Sequence, residues 1–522
     1  MDMVLYRQRI ASAFHRTSGE RGSVTKQAKS LGVSRQSVYR QALWVEKQLL
    51  APDWQAERSV LQQRIQELEA QVAQFEKQLA DRVVLDSDKQ AEFASACQAE
   101  GVSLPISRRL LSVLLVGKRV PSVAKLGRWT KAAGERSAVT LAVFDEVVQP
   151  KVHQALLDEI YTKKAVLMTV EPESMCWVGG RLSATVDGEA WQAELSRLPN
   201  LESVTRDGGS GLRRGVKLEN QQRAKQKREP LSDNLDHFHS LREGGRGLGR
   251  TARLAKQAYD KAEKTQKELD KLGRQGKSLS GISNHGHALW RKAERAMDLW
   301  SAQESVWQQV KETLKLVTPE GELNTRAHAE KKLTPLLEQL PDKDFAKCKR
   351  QLRQKETLNY LDRVHKKLEK LPATAEVKQA AIKQECLRRR AELLQGGTQA
   401  VLLHGVLLAC ATALSKAGKT GAETAKAVRS IFRSSWRASS LVECLNSVLR
   451  MQQARHRKMS QGLLDLKRLH WNCHAFRTGR RRGKSPYQHL GIELPPGVTW
   501  WELLKWPPEQ LRQHLSAQQM AI

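Results

Sequence analysis

Strand-like sequence in this chain is confined to one short stretch, and most of what surrounds it reads as helix. Ala155 to Tyr161 and Ala165 to Val170 are runs rich in apolar and β-branched residues, and Met175 to Gly179 begins a third. Leu201 to Arg206 supplies a fourth, after a short helix at Trp191 to Leu198. After Asp207 the sequence turns helical and highly charged, with long Lys/Glu/Gln/Leu/Ala segments from Arg242 to Arg437. The fold class expected is mainly α with one α/β domain. The uncharged run from Val401 to Leu414 is shorter than the ~20 residues a membrane helix needs. It reads as a buried core helix, and it argues that the charged region is a packed bundle rather than a free-standing coiled coil.

The flanks predict further units. Val24 to Gln41 has a helix-turn-helix pattern: Ala28 is small where helices approach, Gly32 makes the turn, Val33 plugs the core and Ser34 caps the next helix. That helix offers Arg35, Gln36, Ser37 and Arg40 outward, residue types that suit base and phosphate contacts in a major groove. Leu61, Ile65, Leu68, Val72, Phe75 and Leu79 alternate spacings of four and three, the seam of a coiled coil, against which stands a helix packed on its own chain. Residues 86–150 read as a second helical unit, with Lys125 and Arg128 on a basic face. DNA binding and bracing of the central domain are equally open roles for it.

The organisation expected is 1–50 helix-turn-helix, 51–85 coiled coil, 86–150 second helical DNA-binding domain, and 151–240 the first part of the α/β core. An all-helical insertion at 241–437 follows, then the second part of the core at 438–495 and a tail at 496–522. Just before that tail, Arg480, Arg481, Arg482 and Lys484 form a cluster able to grip a phosphate backbone.

The 522 residues carry a formal net charge of +32, spread through the chain, which points to a polyanionic partner. Seven cysteines include no CxxC pair, so a zinc ribbon is not expected and a reducing cytosol is. The N-terminus lacks the charged-then-apolar pattern of a signal peptide, and no membrane association is expected.

Three acids stand out. Asp158 lies in the first strand-like run, Asp207 ends the fourth before two glycines, and Glu443 lies on a helix with an apolar face of Val442, Leu445 and Leu449. Phosphodiester chemistry by two metals about 4 Å apart needs hard oxygen ligands that converge from separate elements. Asp158 and Asp207 are close enough in sequence for a return within one sheet. Glu443 reaches them only if the helical region is an inserted domain. Asn446 and Arg450 follow Glu443 at helical spacing, suited to orienting a ligand and to binding phosphate.

The segments LLDEIYTKKAVLMTVEP, SVTRDGGSGL, LDHFHSLRE, SSLVECLNSVLR and GKSPYQHLGI together resemble a bacterial DDE transposase with an RNase H-like core. SSLVECLNSVLR is similar to the terminal acidic motif of Mutator-like and related insertion-sequence enzymes. The resemblance implies that Asp158, Asp207 and Glu443 are catalytic ligands of two Mg²⁺ ions, with Mn²⁺ as a substitute. It implies cleavage at element ends and joining of the freed 3′-hydroxyl to target DNA. It places Asp236, His237 and His239 near the site, where a structural role is equally open. It also implies double-stranded DNA as partner, a homodimer or higher oligomer, and a cytoplasmic, nucleoid-associated protein. The competing reading is a catalytically inactive, domesticated DNA-binding protein.

Overall fold

The computed structural model describes residues 3–49, 52–80, 85–115, 118–161, 164–392, 398–453 and 459–520. The chain divides into two compact units, Met1–Asp86 and Ser87–Ile522. In the first, helices α1 (Met3–Thr17), α2 (Ser23–Leu31) and α3 (Arg35–Leu49) bury Ala28, Val38, Ala42 and Val45 between them. Helix α2 ends at Gly32, whose φ of 64° lies in the left-handed region that glycine adopts without strain. Ser34 Oγ accepts the Ser37 backbone N–H at 3.2 Å and caps α3. Val33 does not plug the core: it is 37% exposed, and Val38 and Ala42, fully buried, fill that role from within α3.

Helix α4 (Pro52–Ala80) follows. Leu61, Ile65, Leu68, Val72 and Phe75 on it are each at least 45% exposed, so this seam is not covered by the chain's own described residues. The side chain of Leu79 lies outside the described residues.

The second unit is built on a five-stranded sheet, ordered β3-β2-β1-β4-β5. Its strands are β1 (Gln154–Tyr161), β2 (Ala165–Glu171), β3 (Cys176–Ser183), β4 (Ser203–Arg206) and β5 (Ser232–Leu235). The first three pair antiparallel, as short returns allow. Strand β4 runs parallel to β1, and β5 parallel to β4, through helices α8 (Gly188–Leu195) and α9 (Ser210–Lys225). Strand β5, sequence SDNL, is too short and polar to show a strand pattern of its own; the family resemblance alone implies a strand before the DHFH segment.

Both sheet faces are covered, which is why β2 is buried along its whole length. On one face Leu157, Leu167 and Val204 pack with Trp191, Leu212 and Val216 of the crossover helices. The same core takes in Leu141, Phe144 and Val148 of α7 (Val123–Val148), Leu466 and Leu469 of α19 (Gln461–Cys473), and Trp501 and Leu511 near the C-terminus. Residues 86–150 and 496–522 are therefore not an independent domain and a tail. Helices α5 (Ser87–Ala99), α6 (Leu104–Leu114) and α7 brace the sheet, and the last helices close over it. A buried Arg468–Asp145 ion pair joins α19 to α7, and Arg468 also donates to the Trp177 carbonyl at 2.8 Å.

From His237 the chain leaves the sheet into α10 (His237–Arg274), α11 (Ser280–Thr313), α12 (Arg326–Gln339), α13 (Asp342–Leu352), α14 (Asn359–Glu369), α15 (Ala375–Ala391), α16 (Thr398–Lys416) and α17 (Gly418–Arg433). These helices share a second core around Trp307, Leu337, Phe345, Tyr360 and Phe432, so the insertion is a packed body. Helix α16 is not the buried helix expected. Cys410 and Leu414 are buried, but Val401 is 71% and Leu408 70% exposed, because only one side of the helix meets α15 and α17. The chain returns as α18 (Ser440–Gln453) on the second sheet face, where Val442, Leu445 and Leu449 pack on Leu156, Ile160, Val166 and Met168. Among the described residues no helix is long and apolar enough to cross a membrane.

Candidate functional site

The site is assembled by strand alternation. Along β1, Leu157 and Glu159 face the crossover helices, and Leu156, Asp158 and Ile160 face α18. Glu159 is held on its own side by Trp191 Nε1 at 2.8 Å and the Tyr161 hydroxyl at 2.7 Å. Asp158, only 5% exposed, lies under α18. Its Oδ1 accepts the Glu159 backbone N–H at 2.8 Å and its Oδ2 accepts Asn446 Nδ2 at 2.5 Å. The parallel register pairs Leu157 with Arg206, so Asp207 comes off the end of β4 beside Asp158. Buried Arg206 fixes that end, with Nη2 on Asp233 at 2.6 Å and Nη1 on the Asp207 carbonyl at 2.9 Å. The Asp207 carboxylate accepts the Gly209 N–H at 2.8 Å.

Glu443 enters from the first turn of α18, and His239 from the first turn of α10. One ligand atom from each of Asp158, His239 and Glu443 lies within 4.8 Å of the others. His239 Nε2 is 3.2 Å from Glu443 Oε1, and its Nδ1 meets Asp236. Asp236 is 1% exposed and caps α10, accepting the Phe238 N–H at 2.8 Å and the His239 N–H at 3.3 Å. It also accepts the Ser439 N–H at 2.9 Å and the Ser439 hydroxyl at 2.8 Å. One carboxylate thus ties together the two ends of the insertion, residues 236–239 and 439, and through His239 it reaches Glu443.

Burial dominates the electrostatics at Asp158, with neighbouring charge a smaller influence. Burial pushes the Asp158 carboxyl up to about 7, and the charges of Glu443 and Asp207 add to this. The Asp236 hydrogen bond raises His239 to about 9 against the opposing effect of its burial, with help from the Asp236, Asp158 and Asp207 charges. Asp236 itself is held below its ordinary value: burial would raise it, but His239 and Ser439 outweigh that.

A stability profile follows for the metal-free protein. The native Asp158 carboxyl takes up protons more readily than in the unfolded chain, so its effect is to lower stability as pH rises from about 4 to about 7. Relative to Asp158→Asn, wild type in EDTA will lose stability across that window, with a slope up to about 1.4 kcal/mol per pH unit. Chemical denaturation at several pH values checks this, and parallel profiles for the two proteins would contradict it. The His239 contribution has the other position: it is present below about 6.5 and lost as pH rises through about 9.

Of the three predicted acids, Asp158 and Glu443 are brought within ligand distance of each other together with His239, and Asp207 lies at the end of the neighbouring strand outside that group; Asn446 bonds Asp158. His237 is not at the site. It is buried in the insertion, with Nε2 2.8 Å from the Thr357 carbonyl and its ring edge-on to Tyr360, and burial followed by the Arg437 charge lowers it to about 4. The Arg450 side chain lies outside the described residues. Arg35, Gln36 and Arg40 are exposed on α3, with Ser37 half-buried, and Lys125 and Arg128 are exposed on α7. Arg481 is committed to structure: it donates to the Glu173 carbonyl at 2.7 Å and the Pro172 carbonyl at 2.6 Å. Arg480 lies 6.0 Å from the Trp436 ring, and Arg482 and Lys484 are exposed. Sequence reading missed the positioning roles of Arg206 and Ser439. It also missed a cleft of about 840 Å³ that opens beside Asp207 and His239. The DxxH spacing at a helix start was the one available signal for the Asp236–His239 pair, since it places a cap and a first-turn residue within reach of each other.

No family model, curated protein or solved structure matches this chain.

Proposed function

We propose that this protein is a DNA strand-transfer enzyme of the DDE transposase type, and the observation that carries the reading is the convergence of Asp158, Glu443 and His239 with Asp207 at the end of the neighbouring strand. The strand order, with three antiparallel strands followed by two parallel ones, supports an RNase H-like core. The α2–Gly32–α3 arrangement, with Arg35, Gln36 and Arg40 exposed, supports a helix-turn-helix that reads DNA.

The donor set fits hard divalent cations. Carboxylate oxygens suit Mg²⁺ and Mn²⁺, and Asp158 is a buried carboxylate with one Glu443 oxygen and a His239 nitrogen within 4.8 Å of it. Asp158, Asp207 and Glu443 would hold a pair of Mg²⁺ ions, which supply activation of the attacking oxygen and neutralisation of charge on the phosphodiester. The protein's own groups keep the ligands in place. Asn446 fixes the Asp158 carboxylate, His239 holds Glu443, and Arg206 anchors the Asp207 backbone. In the proposed reaction water adds to a phosphorus at the element end and the P–O3′ bond breaks, leaving a 3′-hydroxyl. That hydroxyl then attacks a target phosphodiester and displaces a target 3′-hydroxyl. Cleavage and joining of labelled DNA in Mg²⁺, wild type against Asp158→Asn, test the reading.

The exposed seam of α4 supports self-association through that helix. Leu68→Lys with Phe75→Lys will place charges in the seam and shift the protein toward monomer in light scattering, because buried unpaired charge is costly. An unchanged mass would remove α4 from that role.

A further inference from the structure

The cleft beside Asp207 and His239 has two walls, one from the sheet domain and one from the insertion. Helix α9 contributes Arg213, Arg214 and Lys217, and α13 contributes Lys347 and Arg350. Five cations therefore face a space of about 840 Å³ in which the carboxylate besides Asp207 is Glu243. Charge elsewhere on the insertion is arranged differently. On α10, Lys256 pairs with Asp260 at 3.6 Å and Lys267 with Glu263 at 2.9 Å, at helical spacing, as on an ordinary solvated face. In the cleft, Lys217 and Arg350 make no ion pair or side-chain hydrogen bond among the described residues, and both are exposed. Arg214 pairs with Glu189 at 2.6 Å, and Lys347 shares Glu243 with Arg246, at 3.3 Å and 2.7 Å, so the uncompensated charge is that of Lys217 and Arg350, with Arg213. Arg213 reaches across to Gln354, so the walls are already linked by a contact a ligand could replace.

Unbalanced cations on two facing helices attract a polyanion, and the floor of this cleft is the edge of the acidic site. We propose that the cleft is the seat of the DNA phosphate backbone next to the scissile bond, with α13 of the insertion as the second jaw. This rests on the reading of the acids as a phosphodiester site. It adds that the insertion takes part in holding substrate, and it names Lys217 and Arg350 as the residues that do so.

The test is binding of the full-length protein, in EDTA, to fluorescent 30-nucleotide single-stranded and duplex DNA across a salt series. Each phosphate contact contributes about −0.9 to the duplex salt slope, so Lys217→Ala with Arg350→Ala will flatten it by about 2 and weaken binding roughly 10- to 60-fold at 0.1 M salt. Lys256→Ala with Lys267→Ala removes the same charge elsewhere and will change binding little. In wild type, bound DNA will protect Lys217 and Lys347 from acetylation, read by mass spectrometry, which needs no variant to fold. The proposal is overturned if the cleft variant binds like wild type, if the control loses as much, if the lysines stay reactive, or if RNA of the same length binds more tightly than DNA. Because EDTA removes catalysis from the measurement, the two readings fail separately. Loss of binding without any cleavage in Mg²⁺ would retain the cleft and reject the enzyme. Cleavage abolished by Asp158→Asn, with a cleft variant that binds normally, would do the reverse.

Discussion

Asp158→Asn will reduce Mg²⁺-dependent DNA cleavage by at least about 10³-fold while leaving DNA binding within a few-fold of wild type. The substitution keeps the shape of the side chain and its Oδ1 acceptor for the Glu159 N–H, and a flip of the Asn446 amide turns its otherwise unpartnered Oδ1 to accept the new N–H in place of the lost Nδ2 bond, so β1 and α18 stay packed. It removes the charge at the point where Glu443 and Asp207 converge and puts an amide in place of a carboxylate oxygen. The cations proposed to hold DNA are other residues, on α3, α9 and α13, so affinity is expected to survive. The same change removes the cost of burying a charge and the smaller repulsion from Glu443 and Asp207, which together lift Asp158 to about 7, so the variant will be the more stable protein in EDTA at neutral pH. Loss of activity with gain of stability separates a functional carboxylate from a structural one. Cleavage at the wild-type rate in the variant would reject the assignment.

Asp236→Ala will have the largest structural effect of any single change near the site. Five donors point at this buried carboxylate: the Phe238 and His239 backbone N–H groups, the His239 ring at Nδ1, and the N–H and hydroxyl of Ser439. Loss of the cap costs about 0.5–2 kcal/mol. Each buried donor left without a partner adds about 1–3 kcal/mol. A total near 3–5 kcal/mol is expected, visible as a drop of several degrees in Tm. Activity will fall too, because the link from Asp236 through His239 to Glu443 is gone. Asp236→Asn distinguishes the two effects. It still accepts at the cap but no longer carries the charge that raises His239, so it will recover much of the stability and little of the activity. A melting temperature for Asp236→Ala equal to that of wild type would show that the two ends of the insertion are held by something else.

Much of this arrangement was legible from residue order. The apolar runs from Ala155 to Val170 read as strands because β2 is buried on both faces and needs near-continuous apolar sequence. Glu443 was legible because Val442, Leu445 and Leu449 mark which side of its helix is buried, leaving the acid and Asn446 near one edge of that stripe. The role of Asp236 was less clear, since an acid at a helix start is ordinarily a cap and nothing more. Residues 86–150 illustrate a different difficulty. Their helical periodicity was plain, but a helix that buries its stripe in its own bundle and one that buries it on a distant sheet have the same pattern. The uncharged run on α16 misled for a related reason: hydrophobicity shows that a surface prefers cover, not that the chain provides it.

Local rules therefore determined what each segment is: helix or strand, where Gly32 turns the chain, and which side of β1 carries Asp158. These depend on backbone sterics and on periods of 2 and 3.6 residues, which neighbours in sequence set. Tertiary structure alone decided which segments meet. It placed Asp207 beside Asp158 through a parallel pairing, and it brought Ser439 back to Asp236 across the whole insertion. It also set α13 opposite α9 with their cations facing. Those contacts join residues far apart in the chain, and they are selected by the packing of whole surfaces, which no local window of sequence contains.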